Sequence, residues 1–257
     1  MQKIKYKLTA QSSLIVSPRM NTALYKELDE FSLKQLTTND NYLDKDKLNI
    51  IYPFYQYGEY TKYAPERAKY YLPGSSIKGA LCQKRSSDSG NIMVDDIKVS
   101  NDDVVLRNLY KAQYVNDEQK ADFAAFFPNV GVEMIKTRAT LTGDIYVKDK
   151  NYAISLIKSA NDSAKKKLEQ MLVYLDRLKG QKEHFLLHLN CAKFKITAIK
   201  DSDDIFLVGG YKGLLNSIEI EKAQQEINSV IFQEINSAIF LDQETGLPHG
   251  IVKIKLI

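Results

Sequence analysis

The chain has 257 residues, 44% hydrophobic and 26% charged, enough to bury one large core or two small ones in an ordinary soluble globular protein. Its 36 Lys and Arg against 32 Asp and Glu leave a net charge of +4, too mild to prove a polyanion partner, so the placement of the charges decides. Cys82 and Cys191 lie far apart and suit a reducing cytoplasm better than a disulfide scaffold, nothing at the N-terminus has the pattern of a signal peptide, and no apolar run reaches membrane-spanning length.

The first predicted strand is Ile4 to Thr9, with Ile4, Tyr6 and Leu8 on one face and Lys3, Lys5 and Lys7 on the other, as period two requires. Leu14 to Val16 continues apolar, and Leu24, Leu28, Phe31 and Leu36 suit short helical turns. From Leu48 to Tyr71 the chain is rich in tyrosine and turn residues. A short helix is predicted from about Ile77 to Lys84, followed by a loop over Ser86 to Gly90. In Leu106 to Val115, Leu106, Tyr110, Ala112 and Tyr114 fit a strand face, while the composition also tolerates helix. Val132 to Val147 reads as one long strand, with Ile135, Thr137, Ala139, Leu141, Ile145 and Val147 on one face and a bulge or bend at Gly143. Ser163 to Lys179 carries Leu168, Met171, Leu172, Leu175 and Leu178 at helical spacing, with Gly180 as a stop. A strand is predicted from Lys193 to Ile199, burying Phe194, Ile196 and Ala198, then another at Ile205 to Val208. A second amphipathic helix follows from Glu219 to Ala238, and the last strand, Gly250 to Ile257, sets Val252, Ile254 and Leu256 against Lys253 and Lys255. Mixed helices and two-faced strands without a regular βαβ period argue for an α+β fold with a mainly antiparallel sheet.

The densest chemistry lies at Tyr70-Tyr71-Leu72-Pro73-Gly74-Ser75-Ser76-Ile77-Lys78-Gly79-Ala80-Leu81. Pro73 turns Leu72 away from helix, Gly74 accepts unusual backbone angles, and Ser75 or Ser76 can cap a helix starting near Ile77. The product is a helix N-terminus with Lys78 nearby, which suits an anion such as phosphate. The same residues also suit a plain capped turn that binds nothing. Lys3, Lys5 and Lys7, with Lys193/Lys195 and Lys253/Lys255, make one-sided basic rows. They would form a phosphate track if they shared one sheet surface, and would be only polar outer faces if they did not.

The Pro73–Leu81 run resembles the P-G-S-S-[IL]-K-G-A-[IL] signature of the RAMP superfamily, the RNA-binding subunits of CRISPR effector complexes. Its tyrosine-leading form is similar to that of the backbone-capping subunits, the fifth Csm subunit, of type III-A (Csm) complexes. Ile97-Lys98-Val99-Ser100, the glycine-rich Leu207 to Gly213 and Leu247 to Lys253 resemble further marks of that family in the same order, although Asn101 stands where an acid is usual and the glycine spacing departs from G-x-G-x-G. The resemblance implies a ferredoxin-like, RRM-like RAMP core over a single domain, residues 1–257, with helical insertions at 43–71 and 146–180. It implies a non-catalytic cytoplasmic subunit that caps the crRNA backbone near its 3′ end and supports crRNA maturation and antiviral defence. Its partners would be crRNA and adjacent Csm-complex subunits, without membrane, cofactor or metal. Arg19, Ser75, Ser76, Lys78, Arg138, Gly209, Gly210 and Lys212 would meet the RNA, and Tyr211 could stack on a base.

The alternative is a RAMP endoribonuclease that processes crRNA precursor or cuts target RNA, using an acid such as Asp29 or Asp40, or His249. Against it, H-E-x-x-H, G-x-S-x-G and a Cys–His pairing are absent, and His184 and His188 flank an apolar Phe185-Leu186-Leu187 that suits core better than a metal site.

Overall fold

The computed structural model describes residues 1–16, 22–29, 42–58, 61–82, 90–115, 120–178, 182–209 and 238–257. In chain order the elements are β1 (Gln2–Ala10), β2 (Leu24–Tyr25), β3 (Ile50–Tyr52), β4 (Tyr71–Leu72), α1 (Gly74–Leu81), β5 (Met93–Val94), β6 (Ile97–Lys98), β7 (Val104–Arg107), β8 (Tyr110–Val115) and β9 (Lys120–Ala125). There follow β10 (Val130–Ile135), β11 (Thr140–Val147), α2 (Lys150–Arg177), α3 (Glu183–Lys200), β12 (Ile205–Leu207), β13 (Ala238–Leu241) and β14 (Ile251–Leu256).

The central sheet has the order β12-β14-β1-β11-β5 and is antiparallel throughout. Taken as β1–α1–β5–β11–α2–β14, it follows the ferredoxin-like βαββαβ succession, with its four strands side by side as fourth, first, third and second, and β12 added at the edge. Three further sheets surround it: β2-β3-β10-β7, β13-β8-β9 and the pair β4-β6. The fold is therefore α+β with mainly antiparallel pairing, as the sequence predicts; β3 and β10 form a parallel exception.

One face of the central sheet makes the core. Ile4, Tyr6 and Leu8 of β1, Leu141 and Ile145 of β11, and Val252 and Ile254 of β14 join Ile77 and Leu81 of α1 and Leu168, Met171 and Leu175 of α2 in one buried cluster. Each such side chain contributes about 1.5–3 kcal/mol on burial. Helix α2 begins at Lys150, before the predicted Ser163, because Asp149 caps it by accepting the Tyr152 N–H at 2.8 Å. Much of 146–180, the second stretch assigned to an insertion, is thus the helix between β11 and the last two central strands.

Several expectations need correction. Leu106 to Val115 is not one strand but parts of two, β7 and β8, which lie in different sheets. The segment 193–199 is helix, not strand: α3 buries Phe185, Leu189, Ala192 and Ile196 at helical spacing and leaves Phe194 75% exposed. Its short Lys/apolar alternation mimicked period two. Val132 to Val147 is two strands in different sheets, broken at a turn where Arg138 takes φ +66°. Gly143 makes no bulge and keeps its ladder partner Tyr6; a Cβ there would lie 2.6 Å from the Tyr6 hydroxyl oxygen, so glycine makes room for a buried ring. Leu24 belongs to a short strand, not to a helical turn, and Leu28 is exposed. The predicted helix at 219–238 lies outside the described residues, except for Ala238, which opens β13.

Candidate nucleic-acid interface

Period two forces the outward residues of β1 to be Lys3, Lys5 and Lys7, and all three are exposed. Register decides what stands beside them. Lys7 is directly opposite Lys255 of β14 and Thr142 of β11, Lys5 opposite Asp144, Lys3 opposite Tyr146, and Thr9 opposite Lys253. Opposed residues share a face, so five lysines of two adjacent strands occupy one side of the sheet, away from the core.

Two of the five are partly neutralised. Lys3 meets Asp144 at 3.0 Å and lies 5.7 Å from the Tyr146 ring centroid; Lys253 meets Asp204 at 3.6 Å. These are exposed pairs of small worth. Lys5, Lys7 and Lys255 have no ion-pair partner among the described residues. Like charges directly opposite each other on an antiparallel pair repel, so Lys7 and Lys255 form a spot that an anion would relieve. Thr9, Thr140 and Thr142 add hydroxyls, and Tyr146 adds one ring. The face can bind a phosphate backbone; it holds little to read bases with.

The Pro73–Leu81 helix is arranged differently. Helix α1 starts at Gly74, with Pro73 at the N-cap position and no side-chain cap; Ser75 and Ser76 therefore lie inside its first turn and do not cap it. Gly74 is buried, and a Cβ on it would sit 2.1 Å from the Val94 carbonyl oxygen. The Gly74 N–H donates to Asp96 Oδ1 at 2.8 Å, and Asp96 Oδ2 accepts from the Tyr57 hydroxyl at 3.3 Å. A protein carboxylate thus already occupies the place a helix N-terminus offers to an anion. Ser75 is exposed, while Ser76 and Lys78 are half-buried.

The strand before this corner is tied to the interior. Tyr70 donates from its hydroxyl to Glu133 Oε1 at 2.5 Å, and Glu133 Oε2 accepts the Phe54 N–H at 2.8 Å. Burial pushes the Glu133 carboxyl up to about 7, with the hydrogen bonds from Tyr70, Phe54 and Tyr63 acting in the opposite direction. Glu133 gave no signal in the sequence beyond being an acid in an apolar run.

The remaining candidates gather at the other end of β1. Arg138 is exposed on the β10–β11 turn and its N–H bonds to the Ala10 carbonyl at 2.8 Å. Gly209 has φ +61°, and a Cβ there would come 2.4 Å from the Ile15 carbonyl oxygen. Both therefore abut the segment Ala10 to Val16. Helix α1 begins against β5, which pairs with Ile145 and Tyr146 opposite Ile4 and Lys3. The two groups of candidates are separated by the length of β1 from Ile4 to Ala10, about 20 Å at strand rise, and the lysine face runs between those ends. Arg19, Gly210, Tyr211 and Lys212 lie outside the described residues.

Of the groups considered for catalysis, His249 and Asp29 have hydrogen-bond partners within the chain. His249 is 3% exposed, and its Nδ1 lies 2.9 Å from Ser13 Oγ. Burial drives its pKa below the ordinary value, with the Asp242 charge partly offsetting this. Asp29 accepts the Tyr25 N–H at 2.8 Å within its own turn, and Asp40 lies outside the described residues. His188 Nδ1 is 2.8 Å from the His184 carbonyl one helical turn back. Among the described residues no group of three His, Cys, Asp or Glu could hold a metal ion, and no helix is long and apolar enough to cross a membrane. Neither Cys82 nor Cys191 forms a disulfide.

No protein-family model and no curated protein sequence matches the chain. Among solved structures, a chain of the cryo-EM structure of a Csm–crRNA–target RNA ternary complex from a type III-A CRISPR-Cas system aligns over 99% of this chain and 100% of its own length, at 12% identity and a TM-score of 0.48. A chain of the cryo-EM structure of a type III-B Cmr-beta complex bound to cognate target RNA aligns over 60% of this chain and 49% of its own length, at 14% identity and a TM-score of 0.28. Both likenesses are too distant to give a role to any residue.

Proposed function

We propose that the protein is a non-catalytic RNA-binding subunit of a type III CRISPR effector complex, and within it the subunit that caps the crRNA backbone near the 3′ end. On this reading it works in the cytoplasm, supports crRNA maturation and antiviral defence, and docks neighbouring Csm subunits. The observation that carries the RNA contact is the open lysine face of a ferredoxin-like sheet, on which Lys5, Lys7 and Lys255 have no ion-pair partner among the described residues. Support for the complex comes from the Pro73–Leu81 signature and the three weaker marks in the same chain order.

The lysines offer point charges without base-reading partners, so recognition is of backbone, and bound RNA keeps its base edges available. Arg138 and Gly209 extend the path at one end of β1. Ser75 and Lys78 at the other end serve RNA or an adjoining subunit.

The test is single-stranded RNA binding across a salt series, wild type against the triple variant Lys5→Ala, Lys7→Ala, Lys255→Ala, together with the crRNA content of the assembled complex. The expected result is a salt slope shallower by about 2, from three phosphate contacts at about 0.7 each, and shortened or depleted crRNA. An unchanged slope removes the sheet face from the RNA path. Specific RNA cleavage by purified protein with manganese or magnesium, abolished by a substitution at Asp29 or His249, would replace this reading by the endoribonuclease.

A further inference from the structure

A cavity of about 300 Å³ lies where α3 faces the β13-β8-β9 sheet, away from the lysine face. It is at the small end of the range for ligand pockets. Its lining combines Tyr110, Phe123 and His188 with Cys191 and Lys195 of α3 and Gly246 of the β13–β14 loop. The Tyr110 and Phe123 rings are stacked at 6.1 Å and 19°, and the His188 ring lies 5.8 Å from Phe123; Phe123 is buried, while the half-buried Tyr110 and His188 give the cavity wall its accessible aromatic surface.

The cation at this cavity stands apart from its neighbours. Lys182, Lys193 and Lys200, at and along α3, are engaged by Asp122, Asp176 and Glu169. Lys195 has no ion-pair partner among the described residues. Asp242 also lines the cavity, but its carboxylate is spent: it accepts the Ser13 N–H at 2.8 Å, the Glu244 N–H at 3.0 Å and the Thr245 hydroxyl at 3.1 Å. Gly246, at φ +71°, carries no side chain where a Cβ would sit 3.5 Å from Lys195 Nζ, which leaves room beside the ammonium.

We infer that this cavity binds a nucleotide, its base against Tyr110, Phe123 and His188 and its phosphate on Lys195. Aromatic rings beside an ammonium with no ion-pair partner among the described residues match a ligand that is flat at one end and anionic at the other. The nucleotide is either a free nucleoside monophosphate or an unpaired residue of an RNA strand. The site is separate from the sheet face and does not depend on the reading given to it.

The experiment titrates the full chain with 5′-AMP, adenosine and a short single-stranded RNA, the last also carrying a photo-crosslinking base, and repeats this with two variants. Lys195→Ala removes the cation from a half-buried position. Cys191→Trp fills the cavity from an exposed one, so both should fold, as their melting curves check. The expected result is saturable 5′-AMP binding, weakened about tenfold by Lys195→Ala, as loss of one charged hydrogen bond implies. Adenosine should bind more weakly than 5′-AMP and respond less than twofold to Lys195→Ala, and Cys191→Trp should abolish binding of both. If only the oligonucleotide binds, with crosslinks on α3 that Cys191→Trp removes, the source is a strand. Absence of both 5′-AMP binding and α3 crosslinks, or binding indifferent to both variants, overturns the inference. Loss of RNA affinity confined to the Lys5, Lys7, Lys255 variant would leave the sheet-face reading intact while this one fails.

Discussion

The helix mouth at Gly74 and the open face of β1 both offer positive charge, yet the molecule treats them in opposite ways. At the helix mouth an acid of the same chain, the exposed Asp96, takes the Gly74 N–H, the glycine is buried against the Val94 carbonyl, and the preceding Tyr70 is bonded to the buried Glu133. On the sheet face, Lys5, Lys7 and Lys255 stand exposed with no internal partner among the described residues, two of them in direct opposition. An anion-friendly sequence pattern is not a binding site until its own protein has failed to satisfy it. The more distinctive motif is here the better neutralised one, and the plainer alternation of Lys with apolar residues carries the unspent charge.

The largest test of this contrast is Gly74→Ala. The added Cβ meets a backbone oxygen at 2.1 Å, so the corner must open; the expected loss is about 3 kcal/mol or more, read by chemical denaturation. A loss below about 1 kcal/mol would mean the corner is looser than described. Next comes the pH dependence anchored at Glu133. Between about pH 4.5 and 7 the folded state keeps a proton that the unfolded chain has released, so stability falls as pH rises through that window, by up to about 3 kcal/mol. Glu133→Gln should flatten this slope in denaturation curves taken at pH 5, 6 and 7; an unaltered slope would place the titration elsewhere.

Asp96→Ala acts on the helix mouth itself. It should cost about 1–2 kcal/mol through loss of the Gly74 and Tyr57 hydrogen bonds. It should also make the helix mouth receptive, so that sulfate or phosphate raises the melting temperature of the variant and not of the wild type. Equal anion effects on both would break the contrast. The smallest effect is expected from Ser75→Ala with Ser76→Ala. Neither hydroxyl caps α1, so stability should move by less than about 0.5 kcal/mol. A loss of RNA binding in that variant equal to that of the triple lysine variant would put the two regions on the same footing.

What could be read in advance was whatever a local period encodes. The alternation in Ile4 to Leu8, the apolar spacing of Leu168 to Leu175 and the apolar/Lys alternation from Val252 to Lys255 each fixed an element and its buried face, because side-chain direction follows from backbone geometry alone. Even this failed at residues 193–199, where a few alternating lysines imitated a strand and the true period emerges only over the length of α3.

The sequence by itself thus determined the α+β class, the outward lysines of β1 and β14, and the Pro73–Gly74 corner. Only the tertiary structure decided that Lys255 would stand beside Lys7, that Asp96 would cross 22 positions to close the helix mouth, and that the long strand would break at Arg138 and send its halves to different sheets. It likewise decided that Lys195 would face an aromatic cavity. The physical reason is that a local period reports the direction of a side chain but not the identity of its neighbour. Charge pairing and carboxylate capping depend on contacts between residues distant in the chain, which register and packing choose.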